Sequence, residues 1–133
     1  MAYVKRVPKG AVLAISPFNF PLNLAVHKLA PALAAGCPVL LKPASQAPTP
    51  TLRLAEIIAA TAWPKEALSV LPATRAAADV LVTDPRCKVL TFTGSGAGAR
   101  GRAGSRKGFA SRNAGAPKSM RSAMRCIAAR SKP

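Results

Sequence analysis

Apolar residues come in two patterns along the first 95 positions, short unbroken runs and stripes at helical spacing, and the two alternate. Ala11 to Ser16 is a run without helical spacing that ends at a proline pair, Pro17 and Pro21, which predicts a strand leading into a turn. Pro21 suits the first position of a helix, where its missing N–H costs nothing. Leu22, Ala25, Val26, Leu29, Ala30 and Leu33 then recur at three-and-four spacing on one helical face, and Gly36 supplies the stop. Val39-Leu40-Leu41 reads as a second strand. Thr49-Pro50 opens a second helix, with Thr49 placed to accept a backbone N–H, with Leu52, Ala55, Ile58 and Ala59 facing inward, and with Trp63-Pro64 ending it. Leu68 to Leu71 predicts a third strand, Thr74 to Val82 a short alanine-rich helix closed by Asp84-Pro85, and Lys88 to Phe92 a fourth strand. Strands separated by helix-length connections pair in parallel, so the expected class is α/β, a partial doubly wound parallel sheet of about four strands with three helices.

In such sheets ligands bind beyond the carboxyl ends of the strands. Asn19, Lys42 to Ser45, Pro72-Ala73 and Gly94-Ser95 all fall there, so one rim collects the notable polar residues. Each has a plainer reading when taken singly. Asn19 can cap the helix that begins at Pro21, Lys42 can be a solvated strand-end lysine, and Ser45 and Gly94-Ser95 can be turns. Cys37 reads as a small buried residue, and His27 as a structural or rim histidine without a nucleophile beside it.

Charge changes the picture only after residue 95. The 133 residues carry a net +16, of which +6 lies before residue 96 and +10 after it, where there is no Asp or Glu at all. Two units are therefore expected, 1–95 as a nucleotide-binding part and 96–133 as a basic, low-complexity tail without order, since it has too few large apolar residues to offset the entropy of ordering. Its Arg, Ala, Gly and Ser bias resembles a GC-rich coding sequence translated out of frame. The rival roles are a basic arm on nucleic acid, with Phe109 available to stack, and an amphipathic helix from Pro117 with Met120, Met124, Ile127 and Ala128 on one face. Nucleic acid is not the expected partner, because no recognition motif accompanies the charge. The three cysteines form no Cys-x-x-Cys pair, which argues against a disulfide framework or a zinc site and for a reducing cytoplasm. Leu29 to Leu41, uncharged, is too short to span a bilayer and is broken by Pro31, Gly36 and Pro38, so no membrane segment is expected.

The runs Pro17-Phe18-Asn19-Phe20-Pro21, Leu41-Lys42-Pro43-Ala44-Ser45-Gln46-Ala47-Pro48 and Phe92-Thr93-Gly94-Ser95 stand in fixed order, and with them the stretch from about Val7 to Ser95 resembles the cofactor-binding domain of the NAD(P)-dependent aldehyde dehydrogenase superfamily. That resemblance implies a Rossmann-like fold, NAD or NADP as cofactor, an aldehyde substrate oxidised to a carboxylic acid, and a homo-oligomeric parent enzyme. It implies that the Asn19 amide donates to the oxyanion formed when a cysteine thiolate attacks the aldehyde. It implies that Lys42 contacts the adenosine ribose, that Ser95 and the adjoining Gly94 meet the pyrophosphate, and that Ile15, Ser16, Pro17 and Phe18 line the nicotinamide side. Ser45 stands where NAD-preferring members often have a glutamate on the ribose hydroxyls. Serine does not repel a 2′-phosphate, so NADP should be tolerated.

The departures are as specific as the matches. Where the family has Pro-Gly and further glycines, this chain has Pro72-Ala73-Thr74-Arg75, and beyond Ser95 the alignment is lost. Neither the Leu-Glu-Leu-Gly-Gly strand of the general base nor the Gly-Gln-x-Cys segment of the nucleophile is present, and Cys126 lacks those neighbours. The expectation is a family fragment that does not turn over aldehyde by itself, with the edge of its fourth strand left open.

Overall fold

The computed structural model describes residues 2–5 and 7–94, together with the backbone of 109–111 and 125–129. Four strands, β1 (Ala11–Ile15), β2 (Val39–Lys42), β3 (Leu68–Val70) and β4 (Cys87–Phe92), pair in parallel in the order β3-β2-β1-β4. Three helices connect them: α1 (Pro21–Ala34), α2 (Thr49–Ala59) and α3 (Arg75–Thr83). The expected doubly wound sheet with three helices is therefore what forms, with element ends shifted by a residue or two except that α2 stops at Ala59, short of the Trp63-Pro64 stop. One unforeseen short 3-10 turn, Lys65–Ala67, precedes β3.

Period-two alternation divides the core between the two faces of the sheet. Val12 and Ala14 of β1 join Val39 and Leu41 under Ala25 and Leu29 of α1, with Leu54 of α2 against them. Leu13 and Ile15 turn the other way and pack with Leu90, Phe92 and Val82 of α3. Because both faces of β1 are covered, its sequence reads as a continuous apolar run and not as an alternating one. Leu13, Leu41, Leu90 and Val82 are fully buried, and they hold the layers together.

Helix faces follow the predicted stripes in part. In α1 Ala25 and Leu29 are buried as expected, but Leu22 and Ala30 face solvent and Lys28 is buried in their place. In α2 Leu52, Ala55 and Ile58 are half-buried, Ala59 is exposed, and Thr51 is the residue driven fully inside. Thr49 is not a cap: Pro48 occupies that position, and its carbonyl accepts from the N–H groups of Thr51 and Leu52. Thr74 does cap α3, its side chain accepting from the Ala77 N–H at 3.3 Å.

Beyond the four expected strands the sheet continues through two short antiparallel strands from the basic tail. β6 (Arg125–Ala129) pairs with β4, and β5 (Phe109–Ser111) pairs with β6. The edge of β4, expected to stay open, is thus hydrogen-bonded, and 125–129 is strand where an amphipathic helix was the alternative. An unpaired edge presents a row of backbone donors and acceptors, and a short segment gains most by satisfying them. The rest of the tail lies outside the described residues.

Candidate functional site

Strand order reverses between β1 and β4: the chain runs outward from β1 through β2 to β3, then returns to the opposite side of β1. The carboxyl ends of β1 and its two neighbours are tied into one ledge. The Ser16 N–H donates to the Lys42 carbonyl at 3.2 Å, and the Thr93 N–H donates to the Ile15 carbonyl at 3.1 Å. Helices covering opposite faces diverge at such a reversal and leave a crevice above the strand ends.

A groove of about 430 Å³ occupies that place. Ile15, Ser16, Pro17 and Phe18 line it from β1, Lys42, Ala44, Ser45 and Gln46 from β2, and Phe92, Thr93 and Gly94 from β4. Arg75 enters from the start of α3. Seven of the residues marked in the sequence, Ile15, Ser16, Pro17, Phe18, Lys42, Ser45 and Gly94, are thus brought together, while Ser95 lies outside the described residues. Among the described residues no carboxylate lines the groove.

Individual side chains carry the electrostatics. Lys42 is 8% exposed, and its Nζ donates to the Pro43 carbonyl at 3.0 Å and sits 3.5 Å from Ser45 Oγ. The Ser16 hydroxyl is buried on the groove wall without a hydrogen-bond partner among the described residues. Gly94 leaves the backbone bare where it crosses the Phe92 ring: a Cβ there would stand 2.6 Å from Phe92 Cζ. These features fit a polar, anionic ligand laid close along backbone.

Asn19 lies one residue past the groove, exposed on the bend at 18–20, with no hydrogen-bond partner for its amide among the described residues. It does not cap α1. That position belongs to Phe20, whose backbone is left-handed at φ 50 and ψ 54 and whose carbonyl accepts the first helical bond from Leu24 N–H. A non-glycine residue in that region stores about 1 kcal/mol or more of strain.

Motif reading missed two cations. Lys28, 6% exposed, crosses from α1 to donate to the Leu24 carbonyl at 3.0 Å and to Thr93 Oγ1, a groove residue. Its signal was a lysine three residues after Ala25, inside the buried stripe. Arg75 was visible only as a departure from the family pattern. Cys37 is buried as expected, its Sγ accepting from the Lys9 N–H at 3.3 Å, and His27 is exposed on α1. Among the described residues no helix is long and apolar enough to cross a membrane.

Fold and rim together define a doubly wound α/β domain with a groove where strand order reverses. Comparison with known proteins takes the assignment further, since the aldehyde dehydrogenase family model matches residues 1–104. The chain belongs to the aldehyde dehydrogenase family. A phenylacetaldehyde dehydrogenase of Pseudomonas fluorescens is 48% identical over 95 residues, which make up 71% of this chain and 19% of that enzyme. A Mycobacterium tuberculosis aldehyde dehydrogenase complexed with NAD+ superposes with a TM-score of 0.72 at 43% identity, covering 74% of this chain and 20% of the other. A glyceraldehyde-3-phosphate dehydrogenase of Methanocaldococcus jannaschii complexed with NADP gives 0.73 at 35% identity, covering 76% and 23%. The chain spans about a fifth of the length of the curated relatives it matches.

Proposed function

We propose that the chain binds a nicotinamide dinucleotide in the groove over β1, β2 and β4, and that it represents the cofactor-binding part of an enzyme oxidising an aldehyde to a carboxylic acid. The observation that carries this reading is the convergence of seven of the residues marked in the sequence on one groove, with no carboxylate in it among the described residues, at the point where strand order reverses. Bound there, the cofactor supplies a hydride acceptor, which no protein side chain provides.

The chain's own residues divide the remaining work. Lys42 and Ser45 present an ammonium and a hydroxyl to the adenosine ribose, and the absence of a carboxylate in the lining removes any barrier to a 2′-phosphate. Ser16 offers a buried hydroxyl whose bonding is otherwise incomplete. Pro17 and Phe18 give the nicotinamide end an apolar wall. Asn19, its amide unpartnered among the described residues, is the donor for a developing oxyanion, a role that depends on geometry present before charge appears. By family resemblance the pyrophosphate contact falls to Ser95, which lies outside the described residues. The nucleophilic cysteine and general-base glutamate motifs are not in this sequence, so the 133-residue chain binds cofactor without producing reduced cofactor from aldehyde. A reducing cytoplasm suits Cys37 and Cys87, both buried thiols.

Thermal unfolding of the full chain tests this reading. NADP+ or NAD+ at a hundredfold excess over Kd is expected to stabilise by about 2.7 kcal/mol and to raise Tm by several degrees, with duplex DNA at low micromolar concentration giving no comparable shift. A rise with DNA and none with either dinucleotide would assign the chain to nucleic-acid binding. Reduced-cofactor absorbance after adding aldehyde is expected to stay flat, and turnover abolished by Cys126→Ser would overturn the assignment of inactivity.

A further inference from the structure

β4 runs Cys87-Lys88-Val89-Leu90-Thr91-Phe92, and its Leu90, Thr91 and Phe92 are buried. One side of it pairs in parallel with β1. The other side is where the parallel part of the sheet ends, and every second residue of β4 turns its backbone N–H and C=O that way. A six-residue, largely apolar edge of this kind is a template for a strand of another chain. Lys88 is the one charged residue on it, and its Nζ donates to the Pro85 carbonyl at 2.9 Å, so charge does little to protect the edge.

The basic tail closes that edge. β6 lies antiparallel on β4, with Val89 opposite Ala128, Leu90 opposite Ile127, Thr91 opposite Cys126 and Phe92 opposite Arg125. β5 pairs in turn with β6 and becomes the outermost strand. It is three residues long, and in the sequence Arg106 and Lys107 stand shortly before it and Arg112 directly after it. A very short strand bracketed by cations is a poor template, because it offers few donors and acceptors and repels its own copy. Every charged residue from 96 to 133 is positive, so two copies meeting edge to edge bring only like charges together. We propose that β5 and β6 form an edge guard. Arg125–Ala129 fills the docking surface of β4 with the chain's own strand, the cations flanking β5 turn away a second copy, and the chain is thereby held monomeric. This role is independent of what the groove binds, and it accounts for the tail's charge without a nucleic-acid partner.

Amide hydrogen exchange and sedimentation velocity on the full 133-residue chain test the guard. β6 lies between two neighbours, so adjacent residues of it bond to opposite sides, and prolines at 126 and 127 remove one donor towards β4 and one towards β5. Wild type is expected to be monomeric at low salt, with slow exchange at 89–92. In dilute C126P/I127P, exchange at 89–92 should rise about tenfold or more, the scale of one lost backbone hydrogen bond. At higher concentration this variant should dimerise and the same amides should slow again, because β4 of a second copy takes the vacated edge. S131P, outside both strands, should behave as wild type. R106Q/K107Q/R112Q keeps the strands without their flanking charge. It should retain slow exchange at 89–92 yet associate at low salt, where wild type associates only once salt screens the repulsion. Exchange at 89–92 unchanged by the two prolines, a C126P/I127P chain monomeric at every concentration, an S131P chain like it, or a wild type already dimeric at low salt would overturn the proposal. Should the prolines also release 12–14 and 39–41 in β1 and β2, the neutralised variant decides: association at low salt supports the guard, and a monomer like wild type overturns it.

Discussion

Lys28 carries its charge into the one stripe of α1 where helical spacing calls for an apolar side chain, and it survives there because Leu24 and Thr93 supply acceptors. Burial of an ammonium is tolerated only with such partners. Lys28→Ala is expected to lower stability by about 2 kcal/mol in urea unfolding, through the lost charge-assisted bond and the volume left behind. Lys28→Met keeps most of the volume and should cost less, so the difference between the two variants separates packing from hydrogen bonding. At this scale the sequence was legible where motifs were dense. Ile15 to Phe18, Lys42, Ser45 and Gly94 are recognisable because chemistry fixes their order. Lys28 and Arg75 were not, because their roles depend on which residue 65 positions away, or which strand end, they meet across space. The freedom of Asn19 was equally hidden: only the left-handed backbone of Phe20, which no pattern of side chains announces, takes the cap position from it.

Helix and strand ends obey local chemistry unevenly. Thr74, an extended residue before Arg75 with its hydroxyl on the Ala77 N–H, behaves as a hydroxyl before an alanine-rich run should, whereas Thr49 does not because Pro48 already stands in helical geometry before it. Thr74→Ala is expected to cost about 1 kcal/mol through loss of the cap, read as a lower Tm in thermal unfolding. The apolar runs of β1, β2 and β4 were legible because parallel strands covered on both faces need side chains that are apolar without alternation. β3 is harder to place: three residues long, it has Ser69 exposed between half-buried Leu68 and Val70. α2 shows where the stripe argument fails. It is a peripheral helix whose fully buried position is Thr51, with a hydroxyl that finds no partner among the described residues.

Taken whole, the molecule is a half-sheet whose reversal of strand order makes a crevice and whose charge is concentrated outside the part that builds it. The reversal could be read from the alternation of strands and helices plus the rim residues, since those rules leave few topologies open. The antiparallel strands β5 and β6 could not, because alanine- and glycine-rich segments carry little periodicity and only the free edge of β4 gives them something to pair with. The central claim is spatial: ligand binds above the carboxyl ends of the strands and not at their amino ends, where a second groove of about 330 Å³ lies beside Pro38, Ser69, Asp84 and Cys87. Amide hydrogen exchange of the full chain with and without NADP+ addresses that directly. Slowed exchange concentrated in residues 15–19, 42–46 and 93–94, with 38–40, 66–69 and 84–87 unchanged, is the predicted result, and protection confined to the amino-end groove or to the basic tail would contradict it.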